Sequence, residues 1–169
     1  QALARGKHKV QLWALEEEVV NSINNEHENK KFLPGYKLEE SLTCSSDIKE
    51  VARKKDFLII ASPSLFLAST ISKIIDVPNI ADGSTVVVSL TKGFVPSPTG
   101  PKLVLETMES ALPPCYKDKT VYVAGPSHAE EVAIGKLTGL VAASVNPKNS
   151  IKVRELLRVP GIMAYSSFD

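Results

Sequence analysis

Cysteine is nearly absent. Cys44 and Cys115 are the only two, far apart and without CxxC spacing. That excludes a disulfide-held scaffold and a cysteine zinc site, and with a reducing cytosol it sets the expectation of a cytoplasmic protein with no bound metal. Long apolar runs are missing too: none approaches the roughly 20 residues of a membrane-spanning helix, and no signal peptide is visible. Neither sign of charge dominates. Twenty Lys and Arg stand against nineteen Asp and Glu, a net charge of +1, which gives no footprint for nucleic acid or for a polybasic membrane surface. There is no internal repeat and no low-complexity tract. The sequence starts at Gln1 rather than a methionine, and "QALARGKHKV" reads as a helix end followed by a strand, so further residues upstream are expected.

What is present is an alternation. Val10 to Trp13, Leu42 to Cys44, Phe57 to Ala61, Thr85 to Leu90, Val121 to Ala124, Leu140 to Ala143 and Ile162 to Tyr165 are short apolar runs. The central ones lack polar alternation, as expected of strands covered on both faces. Between them lie stripes of helical period. Glu16 to Glu28 carries Val19, Val20 and Ile23, and a helix capped by Ser45 or Ser46 carries Ile48, Val51 and Ala52. Leu67, Ile71, Ile74 and Ile75 form the next stripe. A helix started by Thr99 and Pro101 turns Val104, Leu105, Met108 and Leu112 inward, and one opened by Asn146 and Pro147 bears Val153, Leu156 and Leu157. "NKKFLPGYKLEES" and "DVPNIADGS" read as loop and turn. The pattern predicts an α/β fold: one Rossmann-type, mostly parallel sheet with helices on both faces.

In such sheets ligands gather at the carboxyl ends of the strands, and three turns there are unusual. In Ser62-Pro63-Ser64-Leu65-Phe66, Ser64 can cap a helix and Phe66 is either core or a surface for a flat ring. In Leu90-Thr91-Lys92-Gly93, a lysine stands where a buried strand ends. It is either solvated or aimed at a carbonyl oxygen or phosphate, and Gly93 permits a positive φ or a close approach. In Gly125-Pro126-Ser127-His128-Ala129-Glu130, Ser127 and Glu130 have the spacing of a capping box, and Ala129 leaves room at the first turn. His128 has no identifiable partner. Trp13 ends the first strand with Leu15, Glu16 and Glu17 close behind. An acid there favours a ribose 2′-hydroxyl over a 2′-phosphate, hence NAD over NADP.

Together "VQLWA", "NKKFLPG", "LIIASPSLF", "VSLTKGF", "VYVAGPSHAEEVA" and "YSSFD" resemble the NAD(P)-dependent glycerol-3-phosphate dehydrogenase family, in its order and spacing along nearly the whole chain. The resemblance implies reversible reduction of dihydroxyacetone phosphate to sn-glycerol 3-phosphate, a precursor of glycerophospholipids, with NAD as cofactor and NADP as the alternative. By motif, Lys92 corresponds to a lysine touching cofactor and substrate. Gly125 and Ser127 correspond to substrate contacts, and Trp13, Leu15, Phe66 and Ala129 to cofactor contacts. It further implies that residues 1–169 are an N-terminal dinucleotide-binding domain that lacks its first strand and Gly-rich loop. The helical substrate domain, with the proton-donating lysine, would lie beyond Asp169. Such a piece alone is expected to be inactive, and the complete enzyme is expected to be a homodimer. His128 departs from the aromatic residue the family most often has after G-P-S. Three other readings stay open: a reductase of another keto or hydroxy acid, a non-catalytic dinucleotide-binding module, and a purely structural domain that binds neither substrate nor cofactor.

Overall fold

Short helices and strands follow one another along the chain in the computed structural model, which describes residues 1–168, and from β4 onwards they alternate except where α5 follows α4. The elements are α1 (Ala2–Arg5), β1 (Gln11–Trp13), α2 (Glu17–Asn21), β2 (Glu28–Asn29), β3 (Leu33–Lys37), β4 (Thr43–Ser45), α3 (Ile48–Ala52) and β5 (Phe57–Ile60). There follow α4 (Leu67–Ser72), α5 (Pro78–Ala81), β6 (Val86–Ser89), α6 (Val104–Ala111), β7 (Val121–Ala124), α7 (Ala129–Ala133), β8 (Thr138–Ala143), α8 (Pro147–Leu157) and β9 (Ile162–Ser167). The chain divides into two compact units. The first holds Gln1–Val51, Gly125–Leu140 and Glu155–Ala164; the second holds Ala52–Ala124, Val141–Arg154 and residues 165–168.

In the first unit β1 and β4 pair in parallel, Gln11 opposite Thr43 and Trp13 opposite Ser45. The apolar stripe of α2 buries Val19, Val20 and Ile23 with Ala4, Leu38, Leu42 and Cys44. The α2 helix widens into a π turn at Ser22–Glu26 and stops at His27, whose backbone is left-handed. The Asn24 side-chain amide fixes that turn to β4: its NH2 donates to the Cys44 carbonyl (2.9 Å) and its oxygen accepts from the Cys44 N–H (2.8 Å).

"NKKFLPG", expected as a loop, is mostly an antiparallel hairpin of β2 and β3. The Glu28 carboxylate accepts the Gly35 N–H at 2.7 Å, and Asn29 Oδ1 accepts the Phe32 N–H at 3.0 Å. Pro34 is tolerated because a two-stranded ribbon leaves one side of each strand free of ladder bonds.

The second unit contains the larger sheet, in the order β5-β6-β7-β8-β9, with the C-terminal residues of β8 and β9. β5 with β6 and β6 with β7 are parallel, while β7 and β8 are antiparallel, Tyr122 opposite Ala143. All four residues of β6 are buried, the signature of a strand covered on both faces. Leu67 and Ile71 of α4 and Met108 of α6 are fully buried, and α4 and α6 pack on each other.

Polar clasps close the amino ends of the strands. Asn79 donates to the Ala52 carbonyl (3.0 Å) and to Thr85 Oγ1 (2.6 Å), and Thr85 Oγ1 donates to the Lys55 carbonyl (2.6 Å). The buried Tyr116 hydroxyl donates to the Thr85 carbonyl at 3.0 Å. Burial pushes the Tyr116 phenol up to about 12, because the charged phenolate would lose its water.

Several helix starts differ from expectation. Asp47, not Ser45 or Ser46, caps α3, its Oδ1 accepting from the N–H groups of Lys49 (2.9 Å) and Glu50 (3.1 Å). α6 begins at Val104 rather than near Thr99. Reciprocal 2.9 Å bonds between Val95 and Lys102 hold the preceding segment extended, and the Glu106 carboxylate accepts the Leu103 N–H. A short helix, α5, replaces the turn expected at "DVPNIADGS", with Pro78 in the first helical position, where its missing N–H costs nothing. Ile75 lies past the end of α4 and is 41% exposed.

Candidate active site

Two of the three unusual turns lie in the second unit and are bonded to each other. The β5–β6 ladder ends with Leu90 N–H donating to the Ile60 carbonyl (2.8 Å). One step further, Thr91 Oγ1 donates to the Ser62 carbonyl at 2.9 Å, while the Thr91 N–H donates to Ser89 Oγ at 3.1 Å. Thr91 is only 3% exposed. After it the chain emerges: Lys92, Gly93 and Phe94 are all exposed. Gly93 has φ +85°, and no atom lies within 4 Å of where its side chain would begin. Positive φ, not crowding, therefore requires this glycine.

The partner turn is a 3₁₀ turn over Ser64–Phe66, closed by Phe66 N–H donating to the Pro63 carbonyl (2.9 Å). Ser64 does not cap it; Pro63 occupies that position and no side-chain cap bond forms. Phe66 is 54% exposed while the next residue, Leu67, is fully buried. Phe66 is thus an open aromatic surface and not core. Ser62 Oγ is buried without a hydrogen-bond partner, a position that a bound polar group would satisfy. An exposed ring, an orphaned hydroxyl, open space at Gly93 and an emerging lysine form a donor set that fits a nicotinamide: a flat face, an amide to pair and a polarised reacting atom.

The remaining candidates belong to the first unit. Trp13 is half-buried, its Nε1–H donating to the Ser46 carbonyl at 3.0 Å, and Leu15 is 70% exposed. The acids behind them are engaged. The Glu16 carboxylate lies 3.4 Å from Lys31 Nζ, and Glu17 accepts from the Ser46 hydroxyl at 2.5 Å.

Gly125 packs against β8: a side chain there would start 2.2 Å from the Gly139 carbonyl oxygen. Close backbone approach dictates this glycine. Ser127 does not form the expected capping box. His128 holds the cap position of α7 without a side-chain cap bond, and Ser127 Oγ reaches back to the Gly125 carbonyl at 3.4 Å. The expected pattern fails because α7 starts one residue later. Ala129 is exposed at its first turn.

The far end of α7 is held from α1. The Arg5 guanidinium donates to the carbonyls of Ala133 (2.9 Å) and Val132 (2.8 Å), a cation where the helix end is negative. The sequence places Thr91 and Ser62 inside two of the unusual turns without marking either for a role, and Arg5 stands in no motif. Arg5 gave no signal, since its partners lie far away in sequence. A threonine at a strand end, just before an exposed lysine, was the one available cue for Thr91.

A family model, the N-terminus of NAD-dependent glycerol-3-phosphate dehydrogenase, matches residues 1–150. The chain belongs to this glycerol-3-phosphate dehydrogenase family. A glycerol-3-phosphate dehydrogenase [NAD(P)+] of Treponema denticola is 44% identical over 174 residues, covering 99% of this chain and 49% of the relative. One of Treponema pallidum is 40% identical over 171 residues, covering 96% of this chain and 48% of the relative. The crystal structure of glycerol-3-phosphate dehydrogenase from Coxiella burnetii superposes with a TM-score of 0.81 at 26% identity, over 99% of this chain and 49% of that one. The chain thus spans about half the length of the curated family members it matches. The α/β fold read from the sequence is the family's fold. Among the described residues, no helix is long and apolar enough to cross a membrane.

Proposed function

We propose that this chain is the dinucleotide-binding part of an NAD(P)-dependent glycerol-3-phosphate dehydrogenase, which interconverts dihydroxyacetone phosphate and sn-glycerol 3-phosphate. The observation that carries this is the bonded pair of turns at the strand ends, with Phe66 exposed on one and Lys92 emerging from the other, in a chain that matches the family over residues 1–150.

When bound, the dinucleotide would supply the hydride chemistry. The protein's part is to bind, orient and polarise. Phe66 offers a face for the nicotinamide, and Ser62 Oγ a hydroxyl for a polar group beside it. Lys92 holds a fixed positive charge where negative charge grows on the ketone oxygen. Such a charge counts most when it is positioned beforehand and shielded from water. Trp13 and Leu15 serve the adenosine end. Ala129 leaves room beside the cofactor, and Gly125 and Ser127 offer backbone and hydroxyl groups to the substrate. Glu16 and Glu17, with no arginine beside them, support NAD over NADP.

The proton for the alkoxide comes from a lysine outside this chain, in a second, helical domain. The complete enzyme works as a cytoplasmic homodimer. Residues 1–169 alone bind the dinucleotide weakly and do not turn over.

The test is to express the full encoded length of the protein and follow loss of NADH absorbance with dihydroxyacetone phosphate, beside a panel of other keto acids. Turnover confined to dihydroxyacetone phosphate is expected. Turnover of a keto acid in its place would reassign the substrate, and dinucleotide binding without any turnover would make the chain a binding module.

A further inference from the structure

The hydrogen bond from Thr91 to Ser62 lies one step beyond the last ladder bond between β5 and β6. The β-sheet itself does not require it. The Leu90 N–H to Ile60 carbonyl contact already closes the pairing. What the extra bond joins is specific. On one side Thr91 is the last buried residue before exposed Lys92 and Gly93, and the space where a Gly93 side chain would begin is open. On the other side the Ser62 carbonyl precedes Pro63, whose own carbonyl closes the 3₁₀ turn that ends in Phe66. Phe66 is in turn tied onward, its carbonyl accepting from Ser69 Oγ at 3.0 Å. One buried hydroxyl therefore ties the lysine turn directly to the aromatic turn. A second bond orients it: Ser89 Oγ, itself fully buried, accepts the Thr91 N–H.

We propose that Thr91 is a positioning residue of the reaction, its hydroxyl clamping the Ser62 carbonyl so that Lys92 and Phe66 are held at a fixed separation across the nicotinamide site. This rests on the proposed dehydrogenase function. Thr91 touches neither substrate nor cofactor; it acts through the two residues that do. The chemistry predicts a particular signature. Valine has nearly the same shape but no donor, so Thr91→Val removes the clamp without opening a cavity, and leaves the Ser62 carbonyl unpaired. Serine restores the donor while losing a methyl group.

The experiment uses the full encoded length of the protein, with Thr91→Val and Thr91→Ser compared with the unaltered enzyme. Three quantities are read: kcat per folded molecule with dihydroxyacetone phosphate, the Kd of NADH by nicotinamide fluorescence, and the thermal midpoint. Displacements of reacting groups by about 1 Å cost up to about 100-fold. The expected result is a fall in kcat of about tenfold or more in Thr91→Val, a weaker NADH Kd, and recovery to within about threefold of the unaltered enzyme in Thr91→Ser.

A Thr91→Val enzyme with unchanged kcat and Kd but a lowered midpoint would show a purely structural bond and overturn the proposal. So would equal losses in both variants, since the hydroxyl would then be irrelevant. An unaltered protein that binds NADH but reduces no dihydroxyacetone phosphate would refute the functional reading instead. The Kd values of the two variants would then decide the clamp alone: a weakening in Thr91→Val reversed in Thr91→Ser supports it, and no difference overturns it. An unaltered protein that binds no NADH overturns both.

Discussion

The turn after β6 and the turn after β7 each carry a glycine and a polar candidate residue, yet the two glycines answer to different forces. Gly93 takes a positive φ in open space, while Gly125 lies where a side chain would start 2.2 Å from the Gly139 carbonyl oxygen. The first glycine is about the shape of the chain, the second about what is packed on it. Their neighbours differ in the same sense. Lys92 follows a buried, doubly bonded Thr91, whereas the Ser127 hydroxyl donates to the Gly125 carbonyl of its own turn. A glycine in a motif therefore does not by itself signal a ligand; the space around it decides.

The largest effect should come from crowding. Gly125→Ala is expected to cost about 3 kcal/mol or more, because backbone cannot move aside as a side-chain tip can. A denaturant melt that leaves the midpoint unchanged would show that β8 yields.

Next, Lys92→Ala should lower turnover of the full-length enzyme about 100-fold, with stability held within about 0.5 kcal/mol, as for an exposed residue. Paired kinetics and melts check this, and near-normal turnover would make Lys92 a solvated strand-end residue.

A third test concerns the clasp at the other end of β6. Tyr116 holds its proton more tightly when folded, to about 12, against about 10 unfolded. Its contribution is therefore fully present below pH 10 and is lost as pH rises through about 12. The loss is on the order of 2 kcal/mol. Melts across that window, repeated with Tyr116→Phe, should show the slope flattening in the variant.

The smallest effect is Gly93→Ala, expected to cost about 1–2 kcal/mol through positive φ alone. If it cost as much as Gly125→Ala, the contrast between the two turns would collapse.

The strands were legible because burial on both faces writes itself as an unbroken apolar run: Val86, Val87 and Val88 are buried as such a run demands. Lys92 stands out in the sequence as a charged residue at the end of a buried strand, whereas Phe66 reads either as core or as surface, and only its exposure in the fold decides. Helix starts were less legible. Asp47 and the two serines before it are all competent caps; in the fold the Ser45 and Ser46 hydroxyls donate to the Glu50 and Glu17 carboxylates, and Asp47 caps. The β2–β3 hairpin was hidden because Glu28 and Asn29, which bond its turn, look like any polar loop residues.

The sequence by itself determined the alternation of strand and helix, the buried centre of the larger sheet and the residues that stand out at its strand ends, since hydrophobic period and residue type act locally. Tertiary structure alone decided that Thr91 meets Ser62, that Arg5 closes α7, and that Gly125 has no room for a side chain. Each of these is a contact between segments distant along the chain, and no local pattern encodes which distant carbonyl will arrive within hydrogen-bonding reach.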